Sequence, residues 1–240
     1  MSAQLDAPRK SIPQERLLSQ RRLLPITRMG LVEVFVFGGG LTLIAGGLAC
    51  LWPWAAVPPA LLAGFVLWFF RDPHRAIPAG PGVLVSPADG IVTHLEELSE
   101  AGVWNGPAVK ISIYLSLFSV HLNRVPERAR VLEVRHLPGR HLSTRDPRST
   151  EVNEQCRTLW ECLDAPHMRF LVKQIAGPLV SCIVCAIRSG AVLPRGARFG
   201  MIKFGSRTEL YLPRHPGLCL TVRPGDRVRA DSSIVARLSV

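Results

Sequence analysis

Charged side chains are scarce in this 240-residue chain, at 20% of the total, and acidic ones are scarcer still, with 18 Asp plus Glu against 29 Lys plus Arg. Low charge beside 48% apolar residues excludes intrinsic disorder, which needs the opposite balance. Long repeats and low-complexity tracts are missing too. Cys182-Ile183-Val184-Cys185 has the C-x-x-C form but no second pair at zinc spacing. It therefore reads as two small apolar residues in a buried strand, and no metal is assigned. The six cysteines suit a reducing compartment. No nucleic-acid-binding motif accompanies the net charge of +11, so no nucleic-acid partner is expected.

What is abundant is apolar sequence before residue 71. Leu31 to Trp52 holds one charge, Glu33, and a bilayer core takes roughly 20 apolar residues in a helix. After the break at Pro53-Trp54-Ala55-Ala56-Val57-Pro58-Pro59, a second run extends from Ala60 to Phe70. Together they read as a transmembrane helical hairpin over 31–70, with Gly38-Gly39-Gly40 and Gly46-Gly47 as points of close helix approach. Arg9, Lys10, Arg16, Arg21, Arg22 and Arg28 lie in the basic segment 1–30, Arg71 and Arg75 follow the hairpin, and its turn has no Lys or Arg. The positive-inside rule puts both flanks in the cytoplasm, with the chain resident in the cell membrane. A cleaved signal peptide competes with this reading, but the first run is too long for an h-region and a second follows it. The basic flanks suit anionic lipid, each Lys or Arg near the surface contributing about 1 kcal/mol.

Residues 71–240 are enough for one domain with its own core. Alternation and apolar runs predict strands at Val83–Ser86, Gly90–Glu96, Ala108–Phe118, Ala129–His136, Phe170–Ala176, Leu179–Ile187, Arg207–Leu212, Leu218–Val222 and Ser233–Leu238. Pro87-Ala88-Asp89-Gly90 and Pro224-Gly225-Asp226 are turn signals between them. The polar stretch from Gly139 to Glu154 has no period and reads as a loop. The expected fold class is mainly β (α+β).

Four segments place reactive side chains within this β framework. Asp89 stands in a tight turn between two strands, where an Asp ordinarily serves backbone hydrogen bonding. His121 ends an apolar strand, where a satisfied core histidine is as good a reading as a catalyst. Ser206 follows Gly205 in a β context typical of turn serines, and Gln174-Ile175-Ala176-Gly177 fits an ordinary strand end.

In combination the segments carry more. FFRDPHRAIP (Phe69–Pro78), SPADGIV (Ser86–Val92), HLNRVP (His121–Pro126), EVNE (Glu151–Glu154), VKQIAG (Val172–Gly177) and RFGMIKFGSR (Arg198–Arg207) occur in this order. With the preceding hairpin, they resemble the short form of the phosphatidylserine decarboxylase proenzyme family. The resemblance implies a chain that cuts itself between Gly205 and Ser206, giving 1–205 and 206–240, which stay together as a heterodimer; a higher oligomer is left open. The Ser206 hydroxyl would attack the Gly205 carbonyl to form an ester, and elimination and hydrolysis would leave a covalent pyruvoyl group at residue 206. Such a group supplies the electron sink that no ordinary side chain offers to an amino-acid decarboxylase. The resemblance assigns Asp89, His121 and Ser206 as a triad for self-cleavage, with phosphatidylserine as substrate and phosphatidylethanolamine as product. Some members carry a second histidine three residues before the position of His121. Phe118 stands there, which leaves the proton donor in decarboxylation open, with His121 as the candidate.

VRPGDRVRADSSIVARL (Val222–Leu238) and SPADGIV also resemble the half-motif of biotinyl and lipoyl carrier domains. No lysine lies in a carrier-type hairpin, so this is a fold signal for a β-rich sandwich or barrel-like hybrid. A membrane-anchored serine hydrolase would use the same triad but lacks a G-x-S-x-G elbow. A non-catalytic membrane scaffold is the remaining alternative. Intact-chain mass separates the three, because only the decarboxylase needs a split chain.

Overall fold

The computed structural model of the protein describes residues 26–100, 104, 106–144, 146, 148–164, 168–178, 182–203 and 206–239. Residues 1–25 of the basic segment, and Phe204 and Gly205 of the expected junction, lie outside the described residues. The apolar N-terminal runs form two helices, α1 (Arg28–Leu51) and α2 (Pro53–Phe69). At 1.5 Å per residue the 24 residues of α1 extend about 36 Å, enough to cross a hydrocarbon core of about 30 Å. α2 is shorter, and its prolines stand near its start, where their missing N–H groups cost few helical bonds.

The two helices pack together and their outer ends meet. Ile26 and Arg71 form an antiparallel bridge, and the Thr27 N–H donates to the Phe70 carbonyl at 2.9 Å. Phe35, Leu43, Leu51, Trp54 and Leu61 are exposed along the helices, as a lipid-facing surface requires. Of the glycines expected between the helices, only Gly38 faces α2, its missing Cβ standing 3.7 Å from Val66. Gly39, Gly40, Gly46 and Gly47 have nothing within 4 Å of that position, so helix contact does not depend on them.

The rest is mainly β, in antiparallel sheets. The strands of the largest are β2 (Gly90–Leu98), β3 (Ala108–Leu115), β5 (Ala129–Leu137), β6 (Gln155–Cys162), β7 (Arg169–Ile175), β9 (Val192–Leu193), β11 (Ser206–Pro213) and β13 (Arg227–Val228). Their order is β13-β2-β3-β11-β7-β6-β5-β9, which puts β11 near the centre. β1 (Val83–Val85), β14 (Ile234–Leu238) and β12 (Leu218–Leu220) form a second sheet. β4 (Leu122–Arg124), β10 (Arg198–Ile202) and β8 (Ile183–Cys185) form a third.

Several expectations change: β4, β9, β10 and β13 add to the expected strands, and the one over Leu179–Ile187 covers only Ile183–Cys185 among the described residues. The strand over Ala108–Phe118 stops at Leu115, because the Ser119 N–H turns back to the Ser116 carbonyl at 3.0 Å and swings Phe118 into the open. The strand β6 was not anticipated: its buried side chains include Cys156, Thr158 and Trp160, a face too polar for clear alternation. The loop over Gly139–Glu154 contains one helical turn, α3 (Ser149–Val152).

The main core lies on the large sheet. There Trp160 stacks on Phe170 at 5.9 Å and meets Phe199 edge-on at 5.4 Å. A second core forms where the helices meet the β4–β10 sheet, from Met29, Val34, Phe69, Phe70, Val120, Leu122, Ala186 and Met201. Burying each of the two Phe side chains contributes about 1.5–3 kcal/mol. Packing thus runs across position 70, where the sequence suggests a boundary.

Candidate active site

β4 is the hub of the candidate site. Its Arg124 N–H donates to the Pro87 carbonyl at 2.9 Å, holding the turn that carries Asp89. Its Asn123 donates from Nδ2 to Thr208 Oγ1 at 2.9 Å and accepts from Gln174 Nε2 at 2.8 Å. Asn123 therefore links β11, just past Ser206, to the strand end of QIAG. Gly200 makes this possible, since a Cβ there would stand 2.7 Å from Gln174 Nε2 and 2.6 Å from the Val184 carbonyl. β10 runs antiparallel to β4, and its Ile202 N–H donates to the His121 carbonyl at 3.1 Å. The chain leaving β10 towards the junction is thus anchored on the candidate histidine.

His121 is fully buried, with its ring 4.4 Å from that of Phe69 at the end of α2. Burial pushes its imidazole down to about 4; the Ser119 backbone and the Asp89 charge pull it partly back, while Arg71 lowers it further. Neither ring nitrogen makes a well-formed hydrogen bond among the described residues. Ser206 opens β11, opposite Leu115 of β3, and its hydroxyl is likewise buried with no partner among the described residues. Buried polar atoms are normally satisfied, which makes both groups candidates for chemistry; no hydrogen bond joins them, and other buried atoms such as Gln174 Oε1 and Asp231 Oδ1 share the trait.

Asp89 is placed differently from the orienting carboxylate the triad suggests. Both its oxygens pair with Arg75, at 2.5 and 2.7 Å, and Oδ1 also accepts from the Ala230 N–H at 2.9 Å. It acts on His121 through its charge, without a hydrogen bond to the ring. Gly205 lies outside the described residues.

Sequence reasoning missed the ionic cluster behind this arrangement. Asp72 pairs with Arg124 Nη2 and Arg198 Nε, both at 2.6 Å, while Arg124 Nη1 reaches Asp231 at 2.5 Å. With Arg75 and Asp89 this makes three guanidinium groups against three carboxylates, the balance that buried charge needs. Asp231, at φ 70°, is pushed up to about 6 by burial against the lowering effect of Arg124. The visible signal was the charge-dense text right after an apolar run, Arg71-Asp72-Pro73-His74-Arg75. Arg71 pins the loop before His121 to the helix end: its guanidinium lies 3.8 Å over the Trp68 ring and donates to the Phe118 carbonyl at 2.8 Å. Lys203 bonds Glu33 of α1, tying the approach to the junction to the first helix. Among the described residues no group of three or more His, Cys, Asp or Glu could hold a metal ion.

Residues 62–236 match the family profile of phosphatidylserine decarboxylase. The chain is similar to the phosphatidylserine decarboxylase proenzyme of Rhodopirellula baltica, with 41% identity over 221 residues covering 90% of each chain. It is 44% identical over 209 residues to the proenzyme of that name from Symbiobacterium thermophilum, covering 86% of this chain and 94% of the relative. Its similarity to the one from Syntrophus aciditrophicus is 38% over 208 residues, or 87% of this chain and 95% of the relative.

Proposed function

The chain belongs to the phosphatidylserine decarboxylase proenzyme family, and from that premise we propose that Ser206 is the residue converted, by self-cleavage after Gly205, into its pyruvoyl group. The protein is a pyruvoyl-dependent lyase that makes phosphatidylethanolamine from phosphatidylserine. The observation that carries the assignment is the pair of buried, unpartnered groups, the Ser206 hydroxyl and the His121 imidazole.

An imidazole with a pKa near 4 is neutral at neutral pH, so His121 stands ready to take the Ser206 proton as that oxygen attacks the Gly205 carbonyl. The Asp89 charge, held by Arg75 and Ala230, favours the imidazolium that forms, acting through space. The pyruvoyl carbonyl supplies the sink for the electron pair released when carbon dioxide leaves. In that second reaction His121 works as base first and acid afterwards. A ring nitrogen accepts the proton shed by the substrate ammonium and returns it to the α-carbon.

α1 and α2 act as a transmembrane hairpin with both flanks and the catalytic domain on the cytoplasmic side. The bridge between Ile26 and Arg71 and the absence of Lys and Arg from the turn support this. The test of maturation is intact-mass spectrometry of purified protein. The expected result is two chains, 1–205 and 206–240, the smaller beginning with a pyruvoyl group and refractory to Edman sequencing, and a single uncut chain for Ser206→Ala. A free serine at the start of the small chain, or active uncut protein, would overturn the assignment.

A further inference from the structure

One cleft borders Asp89 and extends away from it over residues that self-cleavage does not use. It has a volume of about 420 Å³ and is lined by Asp89, Tyr114, Ser116, Phe118, Arg227 and Arg229, among others. Arg227 and Arg229 are exposed and two residues apart, with Val228 buried between them, and both line the cleft. Among the described residues neither guanidinium has a carboxylate partner, in a domain where Arg75, Arg124, Arg195 and Arg198 are all paired. Two uncommitted guanidinium groups in a concave site are a receptor for a tetrahedral or planar anion.

The cleft lies beside the reacting centre. Its lining includes Asp89 and Ser119, two residues before His121, while Tyr114 and Ser116 alternate with Leu115, the cross-strand partner of Ser206, and so stand on the other face of β3 at the strand end where Ser206 begins β11. From β13 to β11 is three strand spacings, about 14 Å, a span that an extended arginine and a phosphoserine head group cover together. Phe118 in the lining is 69% exposed and meets Trp68 of α2 edge-on at 5.9 Å, so the cleft adjoins the end of the membrane helix.

The substrate head group offers two anions, and the chemistry chooses between them. A guanidinium on the carboxylate would stabilise the ground state against loss of carbon dioxide, since the charge it pairs with leaves the carboxylate in the transition state. The phosphodiester keeps its charge throughout, so binding it costs nothing in the chemical step. Resting on the decarboxylase reading above, we propose that Arg227 and Arg229 seat the phosphodiester of the lipid head group and thereby set substrate affinity.

The experiment uses full-length, self-cleaved enzyme and phosphatidylserine in neutral-detergent micelles at fixed ionic strength, with rates followed against surface fraction of substrate. Arg227→Ala/Arg229→Ala should process normally and keep kcat within about twofold, while KM rises about 10-fold or more, the scale of hydrogen bonds to charged groups. Inhibition by phosphatidylethanolamine, which shares the phosphodiester, should weaken in parallel. Arg227→Lys/Arg229→Lys should recover part of the loss, and Arg223→Ala, outside the cleft lining, should match the parent. An unchanged KM, an equal rise in Arg223→Ala, or a fall in kcat alone would overturn the proposal. Parent enzyme that is cut but releases no carbon dioxide from phosphatidylserine would instead overturn the reading on which it rests.

Discussion

Removing the Phe69 ring should shift the acid limit of self-cleavage upward. The ring is buried, lies 4.4 Å from that of His121, and helps keep water from the imidazole. His121 is held at about 4 against an ordinary 6.5, which corresponds to about 3 kcal/mol of preference for the neutral form at 1.36 kcal/mol per unit. Phe69→Ala leaves a cavity at the mouth of which water can solvate the imidazolium, restoring about one unit or more of that shift. A base works only while unprotonated, so the parent rate should stay level from pH 8 down to about 5, whereas the variant should be half-inhibited at about pH 5 or above. Stability follows the same sign. Between the unfolded value of 6.5 and the folded value near 4, the unfolded chain takes up a proton that the folded chain refuses, so stability falls as pH drops through that window. The truncation itself costs about 3–5 kcal/mol, and Phe69→Leu serves as the variant that keeps the site dry. Cell-free synthesis into vesicles, followed by gel quantification of uncut chain from pH 4.5 to 8, reads the profile. A Phe69→Ala profile superimposable on the parent's would refute the account of His121 as a base kept neutral by burial.

Asp89→Ala and His121→Ala should each accumulate uncut chain on gels, since general-base assistance contributes about 10²–10⁴-fold; normal processing in both would dismiss the triad. A chain beginning at Arg71 should leave the integral-membrane fraction but process slowly, because Phe69 and Phe70 depart with the helices. One beginning at Trp68 should process faster, and equal rates for the two would show that these side chains do not shape the site. Glu33→Lys should slow processing through Lys203, and Glu33→Lys/Lys203→Glu should restore it, with a coupling of about 0.5–3 kcal/mol between neighbours; failure of the swap to restore would deny the pairing a role.

Local text alone carried little of the site. Asp89 in its turn, His121 at a strand end and Ser206 after glycine were each bland when read from their neighbours, and only the resemblance of the combined segments singled them out. The mainly β character was directly legible, because β3 and β7 are apolar enough to announce themselves. What could not be read was anything decided by partners far along the chain. Arg198 meets Asp72 across 126 positions, and nothing near either residue says so. The resemblance gave Asp89 the place of a histidine's orienter, and nothing in its own segment announces Arg75, 14 positions earlier, which pairs with both its oxygens. Phe69 and Phe70 close an apolar run and so read as lipid-facing, yet they are core residues. Hydropathy reports only that a side chain avoids water, and a bilayer and a protein interior satisfy that equally.

The placement of β11 has an implication for the life history of the molecule. This strand starts at the proposed cut and lies between β3 and β7, with its register running from Ser206 opposite Leu115 to Pro213 opposite Ala108. After cleavage, the shorter product therefore owns an interior strand of a sheet whose flanking strands belong to the longer one. Such a strand is threaded into place while the polypeptide is continuous, and tethering supplies the effective concentration that closes the sheet. Once the tether is gone, unfolding becomes a one-way event: the separated pieces must find each other as two bodies, each with an unpaired strand edge prone to other partners. The mature enzyme is thus preserved by its barrier to unfolding, and a cell replaces it by new synthesis, one active site per polypeptide made.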